Sequence, residues 1–150
     1  MIIDCHGHYT TAPAPHQDFR KAQLERLENP SLEPPASAEI SDDQICETIE
    51  LNQLKLLRER GTDLTIFSPR ASAMAHHIGD PETSMAWARA NNDLIKRVVD
   101  LYPMNFFGGA QLPQVAGESL GGPIEELERT VTELGFVGCN LSPDPSGGHW

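Results

Sequence analysis

Hydrophobic positions along this chain follow two different periods, and the switches between them predict the order of its elements. Short apolar runs at residues 2–6, 63–67, 105–112 and 136–141 read as buried strands. Behind the cap Ser41-Asp42-Asp43, apolar residues Ile45, Ile49, Leu54, Leu56 and Leu57 recur at helical spacing, which predicts one helix running to about Arg60 and stopped by Gly61. A second helix is predicted from about Glu82 to Leu101, with Pro103 beyond its end, and a third from Gly121 to about Leu134, with Gly135 as its cap. Residues 16–27 form a polar patch of helical character, and residues 28–41, rich in Pro and Ser, read as an irregular insertion.

The resulting order is β-α-β-α-β-α-β. Continuous apolar strands separated by amphipathic helices pair in parallel through right-handed crossovers. A small open doubly wound sheet and half of a closed barrel both satisfy that order. The open sheet is the weaker reading, because no Gly-x-Gly-x-x-Gly loop follows the first strand and no helix follows the last. The chain therefore reads as α/β, the N-terminal half (about β1–β4) of a (β/α)8 TIM barrel, in a sequence that looks truncated. Such a half is expected to leave two strand edges and an interior face, with Ile3, Ile66, Phe107 and Val137, uncovered.

Charge narrows the partners. The 150 residues carry 11 Lys+Arg against 22 Asp+Glu, a formal net charge of −11. That surface repels phosphate backbones and anionic bilayers, so neither nucleic acid nor membrane is expected. An anionic substrate needs a locally positive site. No run approaches the ~20 apolar residues of a membrane span, and no basic leader precedes Asp4. The 3 cysteines lack disulfide-framework spacing. Cys5 and Cys139 lie in apolar runs and read as buried thiols, and the expected location is the cytoplasm.

The candidate chemistry begins at His6-Gly7-His8, where the first strand meets its loop. Residues i and i+2 of an extended chain point to the same side, so two imidazoles can converge on one ion. Neutral imidazole suits Zn²⁺ and similar metals, and the C-terminal rim of a barrel is where catalytic groups gather. The alternative is two histidines in an ordinary turn. A catalytic zinc needs about three protein ligands, and this pair supplies only part of them. Arg70 follows the second strand on the same rim and could clamp a carboxylate, or be a solvent-facing arginine. His76 and His77, in the next loop, could touch substrate or only pack the loop. Asn140, ending the fourth strand, is a candidate donor into the site. His16 reads as a surface residue.

Ile3-Asp-Cys-His-Gly-His-Tyr9 resembles the first strand of the amidohydrolase superfamily. Residues 61–71, 74–80 and 140–150 are similar to the 4-oxalomesaconate hydratases of its amidohydrolase-2 branch, which also holds aminocarboxymuconate-semialdehyde and resorcylate decarboxylases. The resemblance implies a mononuclear Zn²⁺ hydro-lyase that adds water to a carbon–carbon double bond of a polycarboxylate in protocatechuate and gallate breakdown. It implies His6 and His8 as metal ligands, with the remaining ligands and the general base expected beyond residue 150. No lysine lies near Val137-Gly-Cys-Asn140, where dinuclear members often carry a bridging lysine, and this favours one ion. A homo-oligomer is expected for the complete enzyme. A decarboxylase or hydrolase on the same scaffold, or an inactive half barrel, remain open alternatives, because all share the first strand.

Overall fold

The computed structural model describes residues 1–70 and 78–142. Its elements are β1 (Ile3–Tyr9), α1 (Ala14–Glu28), α2 (Asp42–Leu51), α3 (Gln53–Arg60), β2 (Leu64–Pro69), α4 (Pro81–Leu101), β3 (Phe106–Gln111), α5 (Gly121–Thr132) and β4 (Gly138–Asn140). The four strands are parallel and lie in the order β1-β2-β3-β4. An open doubly wound sheet would place a later strand on the far side of β1. Sequential order throughout is the arrangement of half a barrel.

Helices cover one face of the sheet. Phe67, Phe106 and Ala110 pack there against Ile45, Ile49, Leu54, Leu94, Ile95 and Val98. The opposite face is left open in part: Ile3 is 50% exposed, Phe107 41% and Val137 57%. These are apolar residues in or directly before strands, of the kind that a closed barrel encloses.

Two local outcomes differ from the sequence reading. The helix expected to run unbroken to Arg60 is split at Asn52, whose backbone (φ −124°, ψ −86°) is not helical. The Asn52 side chain donates to the carbonyl of Thr48 at 2.8 Å, taking up one of the carbonyls freed at the break. The break turns Leu56 outward, to 46% exposure, whereas Leu54 and Leu57 stay buried. Cys5 and Cys139 are exposed rather than buried. They sit on β1 and β4, the outer strands, each with a single strand neighbour.

The cap signals work as their chemistry requires. Ser41 and Gln44 form a reciprocal capping box at the start of α2. Gly61 closes α3 in the left-handed conformation, φ 65°, which a side chain disfavours. Residues 29–41 contain no helix or strand and connect α1 to α2. Among the described residues, no helix is long and apolar enough to cross a membrane.

A buried ionic network fastens α4 to α5 and to the sheet. Glu126 is fully buried and accepts from Arg129 at 2.8 and 2.9 Å, from Asn92 at 2.8 Å and from Arg89 at 3.3 Å. Burial alone would raise the Glu126 carboxyl, but the hydrogen bonds from Arg129 and Asn92 outweigh it and hold the group below its ordinary value. Asn92 also bonds the backbone N–H and the carbonyl of Gln111, at 2.8 and 2.9 Å. The last residue of β3 is thereby tied to the helical layer.

Candidate metal centre

β1 does not pair with β2 as a plain ladder. Asp4 is opposite Thr65 and Gly7 is opposite Phe67, so β1 advances one residue more than β2. Cys5 and His6 together face the single residue Ile66, which is the geometry of a β-bulge. The Asp4 carboxylate accepts from the backbone N–H of His6 at 3.1 Å and steadies the bulge. A Cβ on Gly7 would come within 2.3 Å of the Thr65 side chain. The glycine between the two histidines is thus set by close approach to β2.

Past the bulge, the two imidazoles lie together, with ring centroids 4.6 Å apart in an edge-to-face contact. His8 is oriented by β2: its Nδ1 lies 2.8 Å from the Pro69 carbonyl oxygen and 2.9 Å from Ser68 Oγ. A carbonyl can only accept, so Nδ1 carries the proton and the neutral ring keeps its lone pair on Nε2. Ser68 Oγ in turn donates to the Gly7 carbonyl at 3.0 Å. This carbonyl-held imidazole is the usual preparation of a metal-ligating histidine. The donor set therefore fits a borderline divalent ion, and His6 and His8 are the residues that would hold it. Among the described residues, no cluster of three or more His, Cys, Asp or Glu side chains completes the site.

A cleft of about 320 Å³ opens beside the pair, lined among others by Asp4, Gln53, Leu57 and Arg60. Its size suits a small molecule. Arg70, directly after β2, is exposed and forms no ion pair with another described residue. Asn140 ends β4, in register with Gln111 of β3. His76 and His77 lie outside the described residues. His16 is not a surface residue: it is 5% exposed and stacks on Trp87 with centroids 4.6 Å apart. Burial pushes its imidazole down to about 4, against a weaker opposing hydrogen bond from Asn91. The contributions of Ser68 and Pro69 are missing from the sequence reading, because no local spacing reveals a partner some 60 positions away.

Parallel strands in sequential order, outer helices and paired histidines at the C-terminal end of the first strand define a half-barrel scaffold with a candidate metal site. The chain belongs to the amidohydrolase family, whose profile matches residues 3–150. It is 57% identical, over its whole length, to a 2-keto-4-carboxy-3-hexenedioate hydratase of Sphingobium sp. (strain NBRC 103272 / SYK-6), and it covers 44% of that protein. The crystal structure of a 4-oxalomesaconate hydratase from Rhodopseudomonas palustris superposes on all of the chain with a TM-score of 0.92 at 51% identity, again covering 44% of that structure. A dihydroxybenzoic acid decarboxylase from Polaromonas sp. JS666, crystallised with manganese and an inhibitor, matches 92% of the chain at 27% identity and a TM-score of 0.58, with 37% of that structure covered. The chain thus spans less than half the length of these relatives.

Proposed function

We propose that this chain supplies the first metal-binding strand and part of the substrate rim of a hydratase acting on an unsaturated keto tricarboxylate of the 4-oxalomesaconate type. The observation that carries this reading is the match of the whole chain to part of two hydratases at 57% and 51% identity, against 27% for the decarboxylase structure. His6 and His8 hold one divalent ion. Zinc is the proposed ion on the strength of the imidazole donors. The manganese of the decarboxylase structure makes that metal the second candidate.

The substrate's own chemistry sets the regiochemistry. A 2-keto group conjugated with a 3,4 double bond makes C4 electrophilic, and in this substrate C4 carries a carboxylate. Water gives up a proton to a general base as its oxygen bonds to C4, the alkene electron pair moves onto the ketone oxygen as an enolate, and return of a proton to C3 re-forms the ketone. With a divalent ion in place, Lewis acidity toward water and oxygen ligands becomes available near neutral pH. The protein's residues supply the rest. His8, fixed by Pro69 and Ser68, keeps its Nε2 lone pair directed for ligation. Arg70 offers a planar cation to a substrate carboxylate and so offsets the excess negative charge of the chain. Asn140 contributes an amide donor. His76 and His77 remain candidates for substrate contact in the loop after Arg70. The polycarboxylate is the proposed small-molecule partner, the complete enzyme is proposed to be a cytoplasmic homo-oligomer, and nucleic acid and membrane have no place in this reading.

The test is turnover by the full-length protein reconstituted with zinc or with manganese. Loss of the conjugated enone absorbance on addition of 4-oxalomesaconate is the expected result. Release of carbon dioxide from dihydroxybenzoates, without hydration of the keto acid, would assign the decarboxylase reaction instead.

A further inference from the structure

Two buried polar atoms at the strand ends have no hydrogen-bond partner among the described residues: Gln111 Oε1 and Asn140 Nδ2. Gln111 is 2% exposed. An amide oxygen or nitrogen removed from water without a partner is destabilising, so such a pair demands an explanation.

Their position supplies one. His8 pairs with Ser68 and shares its hydrogen bond, so both lie on one face of the sheet. A Cβ on Gly109 would sit 3.4 Å from Ser68 Cβ, which places Gly109 on that same face. Gln111 follows two residues later on β3 and returns to that face, and Asn140 is its register partner on β4. The two amides therefore stand side by side, about 5 Å apart as strand neighbours are, on the histidine side of the sheet and at its C-terminal end. They do not satisfy each other. The Asn92 bonds to both backbone groups of Gln111 hold that residue in place while leaving its side chain out of the network.

We infer that Gln111 and Asn140 form a paired subsite, acceptor beside donor, for a hydroxyl and a carboxylate carried on one substrate carbon. Gln111 Oε1 accepts from the hydroxyl, and Asn140 Nδ2 donates to the carboxylate. The inference rests on the hydratase reading for the identity of the ligand: hydration at C4 creates that hydroxyl next to a carboxylate. Gln111 is thereby a specificity residue for the hydrated form, and Asn140 for the carboxylate common to substrate and product.

The experiment uses two probes that differ only by a hydroxyl, citrate and tricarballylate, titrated calorimetrically into the full-length metal-loaded protein. Wild type is expected to bind citrate about tenfold more tightly. Gln111→Met should erase that preference while leaving tricarballylate binding unchanged, and Asn140→Leu should weaken both probes. Because each replacement removes an unpaired buried polar atom, Tm should hold or rise in both variants. A citrate preference that survives Gln111→Met would overturn the inference, as would a fall in Tm that accompanies its loss. If wild type shows the Gln111-dependent preference but does not hydrate 4-oxalomesaconate, the subsite stands and the assigned reaction falls.

Discussion

His8 Nδ1 and the carbonyl oxygen of Pro69 lie 2.8 Å apart, joining the second histidine of the first strand to the last residue of the second strand. Ser68 Oγ reinforces the same ring nitrogen from 2.9 Å. Removing that hydroxyl leaves the ring less well oriented. Ser68→Ala in the full-length protein should weaken metal binding about 10- to 100-fold, whereas His8→Ala should abolish it. Competition with a chromophoric chelator measures both. Unchanged affinity in Ser68→Ala would leave Pro69 as the sole orienting contact.

Arg70 is exposed and directly follows Pro69, the residue whose carbonyl holds His8. If its guanidinium holds a substrate carboxylate, Arg70→Met should cost roughly 2–4 kcal/mol in kcat/KM, the scale for loss of one partner of a charge pair. Lysine should restore only part of the activity, because it lacks the planar fork. Steady-state kinetics of the three proteins decides the point, and equal kcat/KM values would remove Arg70 from the substrate site.

The buried His16 makes stability fall with acid. Its imidazole titrates at about 4 in the fold, against 6.5 for the free side chain. Between those values the unfolded chain binds more protons than the folded one, so stability increases with pH across that window. The contribution is intact above about pH 6.5 and declines as pH falls toward 4, by roughly 3 kcal/mol at most. Chemical denaturation of wild type and His16→Gln over this range should show a shallower acid slope in the variant. Identical slopes would place the acid sensitivity elsewhere.

Glu126 of α5 is joined to α4 through Arg89 and Asn92, and Arg129 of its own helix holds the carboxylate in place. Glu126→Gln keeps the shape but weakens every charge-assisted bond, and should lower unfolding stability by about 2 kcal/mol. Asn92→Ala should also loosen Gln111, because the same amide bonds its backbone. Hydrogen exchange at the Gln111 N–H reports the second effect separately from global stability.

The order of strands and helices was legible because each element carries its own period and stop signal. The Ser41–Gln44 capping box and Gly61 mark helix ends by local chemistry alone. Asn52 was not legible as a break, because the apolar spacing continues through it and an asparagine inside a helix is ordinary. His16 was misplaced for a related reason. α1 is nearly uniform in polarity, so nothing in it announces that Trp87, some 70 positions on, covers one face. At the site, His6 and His8 stood out by spacing and by place. Ser68, Pro69 and Gln111 did not, since their roles depend on register with other strands. Cys5 and Cys139 looked buried because an apolar strand reads the same whether one or two neighbours flank it.

The extra residue in β1 has a bearing on recombination between barrels. Because Cys5 and His6 share one opposite number in β2, Asp4 and Gly7 fall on the same side although three positions separate them. A chimaera that transplanted only the short histidine segment into another barrel would import the two imidazoles without the local offset that sets their stance. It would also need a neighbour at the Thr65 position shaped to accept a bare glycine. The smallest heritable unit of this histidine pair is therefore a strand pair, and productive crossover points lie outside β1 and β2 together.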